Sequence, residues 1–346
     1  MSGRALQRLV PFLGVVLSVV AVTVLLATVD VEKTIAAISA AEWQPIALAT
    51  VLVVAQLLVV TARWGILLAP FATGRPPGVG ALLGPVLIGY LGNFVLPARL
   101  GEVIRSFVVS RRQGMPMSTV LGTVVLERII DAWVLAVVAL VTALAIGVPS
   151  WIVQIAAIAS VAGAILIVVL ATSAAARLAT ALGRARLESL RALGAVVDRF
   201  GQGAAVKGRP GAIALAVALS SLSWLIEGTV YWLSAVAIGL EVSLAAGFLV
   251  AAVTILATAI PSAPAYVGTF ELTVTAVAAA FGVPAEEALA WAVVAHAVTL
   301  LPLAVGGLVS LVRSGLRPGE LLREAERAEH EDPMLGVPDP AVGDAP

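Results

Sequence analysis

Two runs hold most of the residues able to do chemistry. Glu127 and Asp131 stand four apart on one helical face, with Arg128 between them in sequence. Upstream, Asn93-Phe-Val-Leu-Pro97-Ala-Arg99-Leu-Gly101-Glu102 leads to Arg105, three residues beyond Glu102 and on its face. Further on, Ser220, Ser223 and Glu227 recur at i, i+3 and i+7, followed by Glu271 and His296. Paired carboxylates can act as acid and base or hold a hard cation. Arg128 beside them disfavours a cation cage, and no H-E-x-x-H or D-x-D run accompanies them. Guanidinium groups instead suit a phosphate, which they grip through a planar fork. The competing structural reading is mutual neutralisation, Glu102 with Arg105 and Glu127 with Arg128. His296 alone fits a buried hydrogen-bonding group better than a metal ligand. Asn93, the only asparagine, suits a backbone cap first and a ligand contact second.

Composition narrows the field. The chain has no cysteine and two histidines, which excludes thiol nucleophiles, zinc–thiolate sites and His-rich metal sites. Its 21 basic and 21 acidic residues give zero net charge, so nothing global draws it to nucleic acid. Sixty per cent of the residues are hydrophobic and 12% charged, against roughly 45–50% and about 25% in soluble domains. With a mean hydropathy of +1.06, the chain belongs in a membrane.

The elements that position these residues must therefore be membrane helices. A crossing needs about 20 apolar residues. Pro11–Val29, Pro45–Ala69, Met117–Gly147, Trp151–Ala171, Gly211–Leu240 and Pro284–Val312 supply six. The first resembles a signal peptide, but it exceeds the roughly 7–15 apolar residues of a cleaved one and is expected to be retained. Two further stretches, 80–114 and 246–282, are broken by Pro97 and Gly101 and by Pro261, Pro264 and Gly268. Broken backbone at that depth is tolerated only inside protein or beside a wet cavity. Each stretch is expected to be a re-entrant helical hairpin or else two thin crossings. The expected fold is six full crossings plus two re-entrant hairpins, or about eight transmembrane segments. Gly80, Gly84, Gly89 and Gly92 suit close helix packing rather than a phosphate loop.

The broken stretches correspond to each other. Pro97 and Gly101 map onto Pro264 and Gly268 at an offset of 167, Gly114 and Pro116 onto Gly282 and Pro284 at 168. At 168, Arg128 maps onto His296. With the N-terminus inside, Arg4, Arg8, Arg63, Arg75, Arg111 and Arg112, the seven basic residues of 172–210 and four near the C-terminus all face the cytoplasm. Only Lys33 then faces out. Three net crossings per half make residues 1–150 and 151–315 inverted repeats, with both termini cytoplasmic. Residues 174–207 suit either an amphipathic surface helix or a basic linker, and residues 316–346 an acidic, largely disordered tail. The expected fold is an all-α polytopic protein of the plasma membrane.

The motif from Asn93 through Arg105, followed by Glu127-Arg128-x-x-Asp131, resembles the lysylphosphatidylglycerol synthase/flippase transmembrane family. Pro261-Ser-Ala-Pro264-x-x-x-Gly268-x-x-Glu271, with His296 a helix later, is similar to that family's second motif. That motif has Ala265-Tyr266 here, where the family often has Gly-Gly. The resemblance covers roughly residues 5–315 and implies a body that moves aminoacylated or other anionic lipids between leaflets. The aminoacyl-transferase domain of the best-known members has no counterpart after residue 315, so no synthase activity, enzyme chemistry or cofactor is expected. Arg99, Arg105 and Arg128 are expected to attract a lipid phosphate. Glu102, Glu127, Asp131, Glu227 and Glu271 are expected to hold those arginines and bind any headgroup amine. Polyprenyl-phosphate lipids fit the same chemistry. The rivals are an intramembrane transferase on a lipid-linked donor, with Glu127 as base, and a non-catalytic partner of a separate synthase or glycosyltransferase.

Overall fold

The computed structural model describes residues 3–72, 74–96, 100–147, 150–171, 180, 210–258, 262–316, 319 and 323. Most of the expected surface helix at 174–207, most of the acidic tail, and Pro97, Arg99 and Pro261 lie outside them. The described residues form an all-helical body with no strand. Helix α1 (Gly3–Thr28) turns by 90° into the short α2 (Val31–Ser39). The Asp30 carboxylate caps α2 by accepting from the Glu32 and Lys33 amides. Then come α3 (Trp43–Leu68), α4 (Val79–Val95), α5 (Gly101–Gln113), α6 (Met117–Ile146) and α7 (Ser150–Ala171). After residue 209 follow α8 (Pro210–Ala237), α9 (Leu244–Ala257), α10 (Thr269–Ala279) and α11 (Ala285–Ser314).

Helix α3 with its final 3₁₀ turn, α8 and α11 are each long and apolar enough to cross a membrane, and the bent α1–α2 pair would make a fourth span. Their outward surfaces suit lipid. Ile158 on α7 is 69% exposed and Val312 on α11 is 75% exposed, a waste of apolar area in water but not in hydrocarbon. Lipid tails are as apolar as leucine, so helices hold together here by close packing and polar contacts.

Both broken stretches fold as helix pairs. Helices α4 and α5 pack on each other through glycine: a Cβ on Gly101 would stand 1.9 Å from the Gly89 carbonyl oxygen and 2.6 Å from the Asn93 amide. A Cβ on Gly92 would meet the Gly101 Cα at 2.7 Å. Gly80 and Gly84 have nothing within 4 Å, so the close-packing role expected of four glycines belongs to Gly89 and Gly92. The second break holds a 3₁₀ turn, Pro264–Tyr266, and α10 then opens at Gly268 with φ 87°. Helix α1 braces this turn, the Ser18 hydroxyl accepting from the Ala263 amide at 2.9 Å.

At the centre α3 and α8 run against each other, and the Gln56 side chain donates to the Ser223 carbonyl at 3.0 Å. Trp64 fills one end of the core, donating to Thr123 at 3.1 Å. Trp291 fills the other, donating to the Tyr231 carbonyl at 2.8 Å.

Candidate functional site

A cavity of about 170 Å³ lies between these elements. Helices α3 to α6 wall one side and α8 to α11 the other. From the first side Arg63, Asn93, Glu102, Arg128 and Asp131 face it, from the second Glu227 and His296.

The first wall is a closed charge network. Arg63 and Glu127 are 1% and 0% exposed, and the Arg63 guanidinium donates to Glu127 Oε1 at 2.6 Å. It also forks onto Asp131, with a second bond to Oδ2 at 3.0 Å. Glu127 takes further bonds from Arg105 at 3.1 Å and Arg128 at 3.0 Å. Asp131 accepts from the Ser220 hydroxyl and the Trp224 indole on α8, stitching the two walls together. Arg128 lies 3.4 Å from Asp131 Oδ2 and 3.5 Å from Glu102. Three guanidinium groups thus meet three carboxylates. A buried charge needs such pairing, because stranding one costs several kcal/mol.

Of the two local pairs expected from sequence, Glu127 with Arg128 forms, and Glu102 with Arg105 is re-partnered. Arg105 pairs with Glu127 rather than Glu102, and Glu102 pairs with Arg128. The reason is helix packing: α5 lies against α6, so each arginine reaches a carboxylate on the neighbouring helix. Arg105 also stacks over the Trp64 ring at 4.6 Å, and it does not line the cavity. Arg128 does. About 35% of its side chain stays open, against 2% and 6% for Arg63 and Arg105.

Across the cavity, His296 Nδ1 lies 2.6 Å from Glu271 Oε1. Glu271 Oε2 accepts the Gly268 amide at 2.6 Å, so one carboxylate both orients the histidine and caps α10. The imidazole stacks on Phe270, centroids 4.2 Å apart. Glu227 is buried beside Gln56. Neither Glu227 nor Glu271 holds an arginine among the described residues, contrary to expectation. Asn93 lines the cavity, but its Oδ1 makes no capping bond and has no hydrogen-bond partner.

Asn93, Glu102, Arg128, Asp131, Glu227 and His296 therefore share one space, with Arg105, Glu127 and Glu271 one contact behind them. Arg99 lies outside the described residues. Sequence reasoning missed Gln56 and Tyr90, and it assigned Arg63 to the cytoplasmic surface. Gln56 and Arg63, at i and i+7 on one face, were the available signal, two polar groups in line on an otherwise apolar helix.

The family profile of the lysylphosphatidylglycerol synthase TM region matches residues 12–307, from α1 into α11. The chain belongs to this family. A protein named Glycosyltransferase AglD, of Haloferax volcanii, is 27% identical over 346 residues, covering 89% of this chain. This chain spans 55% of that relative's length. For a member of the lysylphosphatidylglycerol synthase TM family, the Ala265-Tyr266 departure has a backbone cost. Both residues have positive φ, 55° and 62°, a region that glycine enters freely and a Cβ resists.

Proposed function

We propose that this protein is a flippase-like transporter that moves an anionic or aminoacylated phospholipid, or a polyprenyl-phosphate lipid, between leaflets. One observation carries the reading: Arg128, held by Glu102, Glu127 and Asp131, keeps an open edge toward a cavity enclosed by membrane helices. An arginine fixed on one side and open on the other is prepared for a phosphate without ordering cost at binding. The N-termini of α5 and α10 add favourable dipoles. His296 with Glu271 offers the opposite wall a partner for a headgroup hydroxyl or amine.

Alternating access would come from two inverted repeats, residues 1–150 and 151–315, with the helix pairs α4–α5 and α9–α10 as re-entrant hairpins. Support comes from residues an offset apart that meet at the centre. Gln56 bonds Ser223, 167 residues on, and Arg128 and His296, 168 apart, face one cavity. The charge distribution supports cytoplasmic termini and a plasma-membrane location.

A second reading, a membrane partner or transferase acting on a lipid-linked donor, is favoured by the name of the Haloferax relative. Reconstitution into liposomes with labelled lipids, scoring leaflet exchange and covalent change together, separates the two. Exchange without modification supports transport. Modification without exchange supports the transferase.

A further inference from the structure

Glu227 is the buried carboxylate that the arginine network leaves out. It lies in the middle of α8, 4% exposed, and faces the cavity. Every element packed around it has been committed elsewhere or carries no charge. Helix α3 presents Gln56, whose amide reaches Glu227, and Arg63, which is bound to Glu127 and Asp131. Helix α6 presents Glu127, Arg128 and Asp131, already paired, and α9 has no titratable residue. From α11 comes His296, bonded to Glu271 of α10. Tyr90 of α4 and Glu102 of α5 share the cavity wall. One turn along α8 stands Tyr231, whose buried hydroxyl has no hydrogen-bond partner and feels the charges of both Glu227 and Glu271.

Every other described carboxylate around the cavity has a basic partner, Glu102, Glu127 and Asp131 an arginine and Glu271 a histidine. An ion in such a place needs a counter-charge, and a proton can supply it. We propose that Glu227 is a proton-binding site that couples lipid movement to a transmembrane pH difference, an inference resting on the transport reading above. With the cavity open to the more acidic side, the Glu227 carboxylate takes a proton from water and becomes a neutral acid. That removes an uncompensated negative charge from a wall that must accept an anionic headgroup, so proton and lipid enter together. When the cavity opens to the other side, the lipid leaves and the acid returns its proton to water. Gln56 stays beside the group in both states.

The test uses the full chain in phosphatidylcholine vesicles holding trace fluorescent phosphatidylglycerol, a lumenal pH dye, and a clamped electrical potential. With a pH difference of one unit, wild type is expected to enrich the labelled lipid in the leaflet facing the alkaline side, approaching about tenfold for one proton per lipid. The lumenal pH should move with the lipid. In Glu227→Gln the leaflet ratio is expected to fall to about one whatever the gradient. Glu227→Asp keeps a titratable group and should retain the asymmetry with a displaced pH midpoint, which separates a lost proton from a lost side chain if Glu227→Gln does not fold. Wild-type asymmetry persisting in Glu227→Gln, or an unchanged midpoint in Glu227→Asp, overturns the inference. Wild-type exchange that ignores the gradient overturns it while sparing the transport reading. No wild-type exchange at any gradient contradicts both.

Discussion

The Arg63 guanidinium lies 2.6 Å from Glu127 across 64 residues of sequence, and neither group meets solvent. That bond, with the fork onto Asp131, ties α3 to α6 and fixes the carboxylates that hold Arg128. Arg63→Gln is expected to destabilise the protein by about 3–5 kcal/mol, because it leaves a buried negative charge unmatched. The double change Arg63→Gln with Asp131→Asn restores the balance and should recover part of the loss. Thermal unfolding in detergent of the single and double variants measures this coupling.

Backbone contact between α4 and α5 gives a second expectation. Gly101→Ala drives a methyl group into the Gly89 carbonyl and should cost about 1–3 kcal/mol or more. Gly84→Ala, with open space around it, should stay within about 0.5 kcal/mol of wild type. Folded yield and melting temperature of the two variants, compared side by side, check the contrast.

The 3₁₀ turn at Pro264–Tyr266 gives a third. Ala265 sits at φ 55°, so Ala265→Gly is expected to relieve strain and stabilise the fold by up to about 1 kcal/mol. A lowered melting temperature would show that the methyl group matters more than the backbone.

The proposed membrane orientation, read from charge placement, is checked by labelling. The chain has no native cysteine, so single cysteines can be introduced at Lys33 and at Arg191. An impermeant external reagent on intact cells should label the first and spare the second.

Much of the site was legible because charges in apolar segments are costly and therefore informative. Glu127, Arg128 and Asp131 stood out on an apolar helix, and the proline and glycine breaks located both helix pairs. Pairing between helices was not legible. Helical spacing puts Glu102 near Arg105, yet the contact of α5 with α6 offers Arg105 a fully buried partner in Glu127, which no single-helix pattern contains. Arg63 escaped because it stands six residues before the end of an apolar run, where a cytoplasmic anchor is equally natural. Only the packing of α6 and α8 around α3 encloses it. Glu227 was seen, but its isolation from arginine depended on where every other cation was held.

In the proposed transport reading Arg128 binds the lipid phosphate, and one substitution tests that role. Arg128→Lys keeps the charge against Glu102, Glu127 and Asp131 but loses the planar fork. Leaflet exchange of labelled phosphatidylglycerol in proteoliposomes, divided by the amount of folded protein, is expected to fall about tenfold or more, as loss of a charge-assisted bidentate contact requires. Full exchange per folded molecule in Arg128→Lys, with only the yield reduced, would show that Arg128 is a structural ion pair and that the phosphate is held elsewhere.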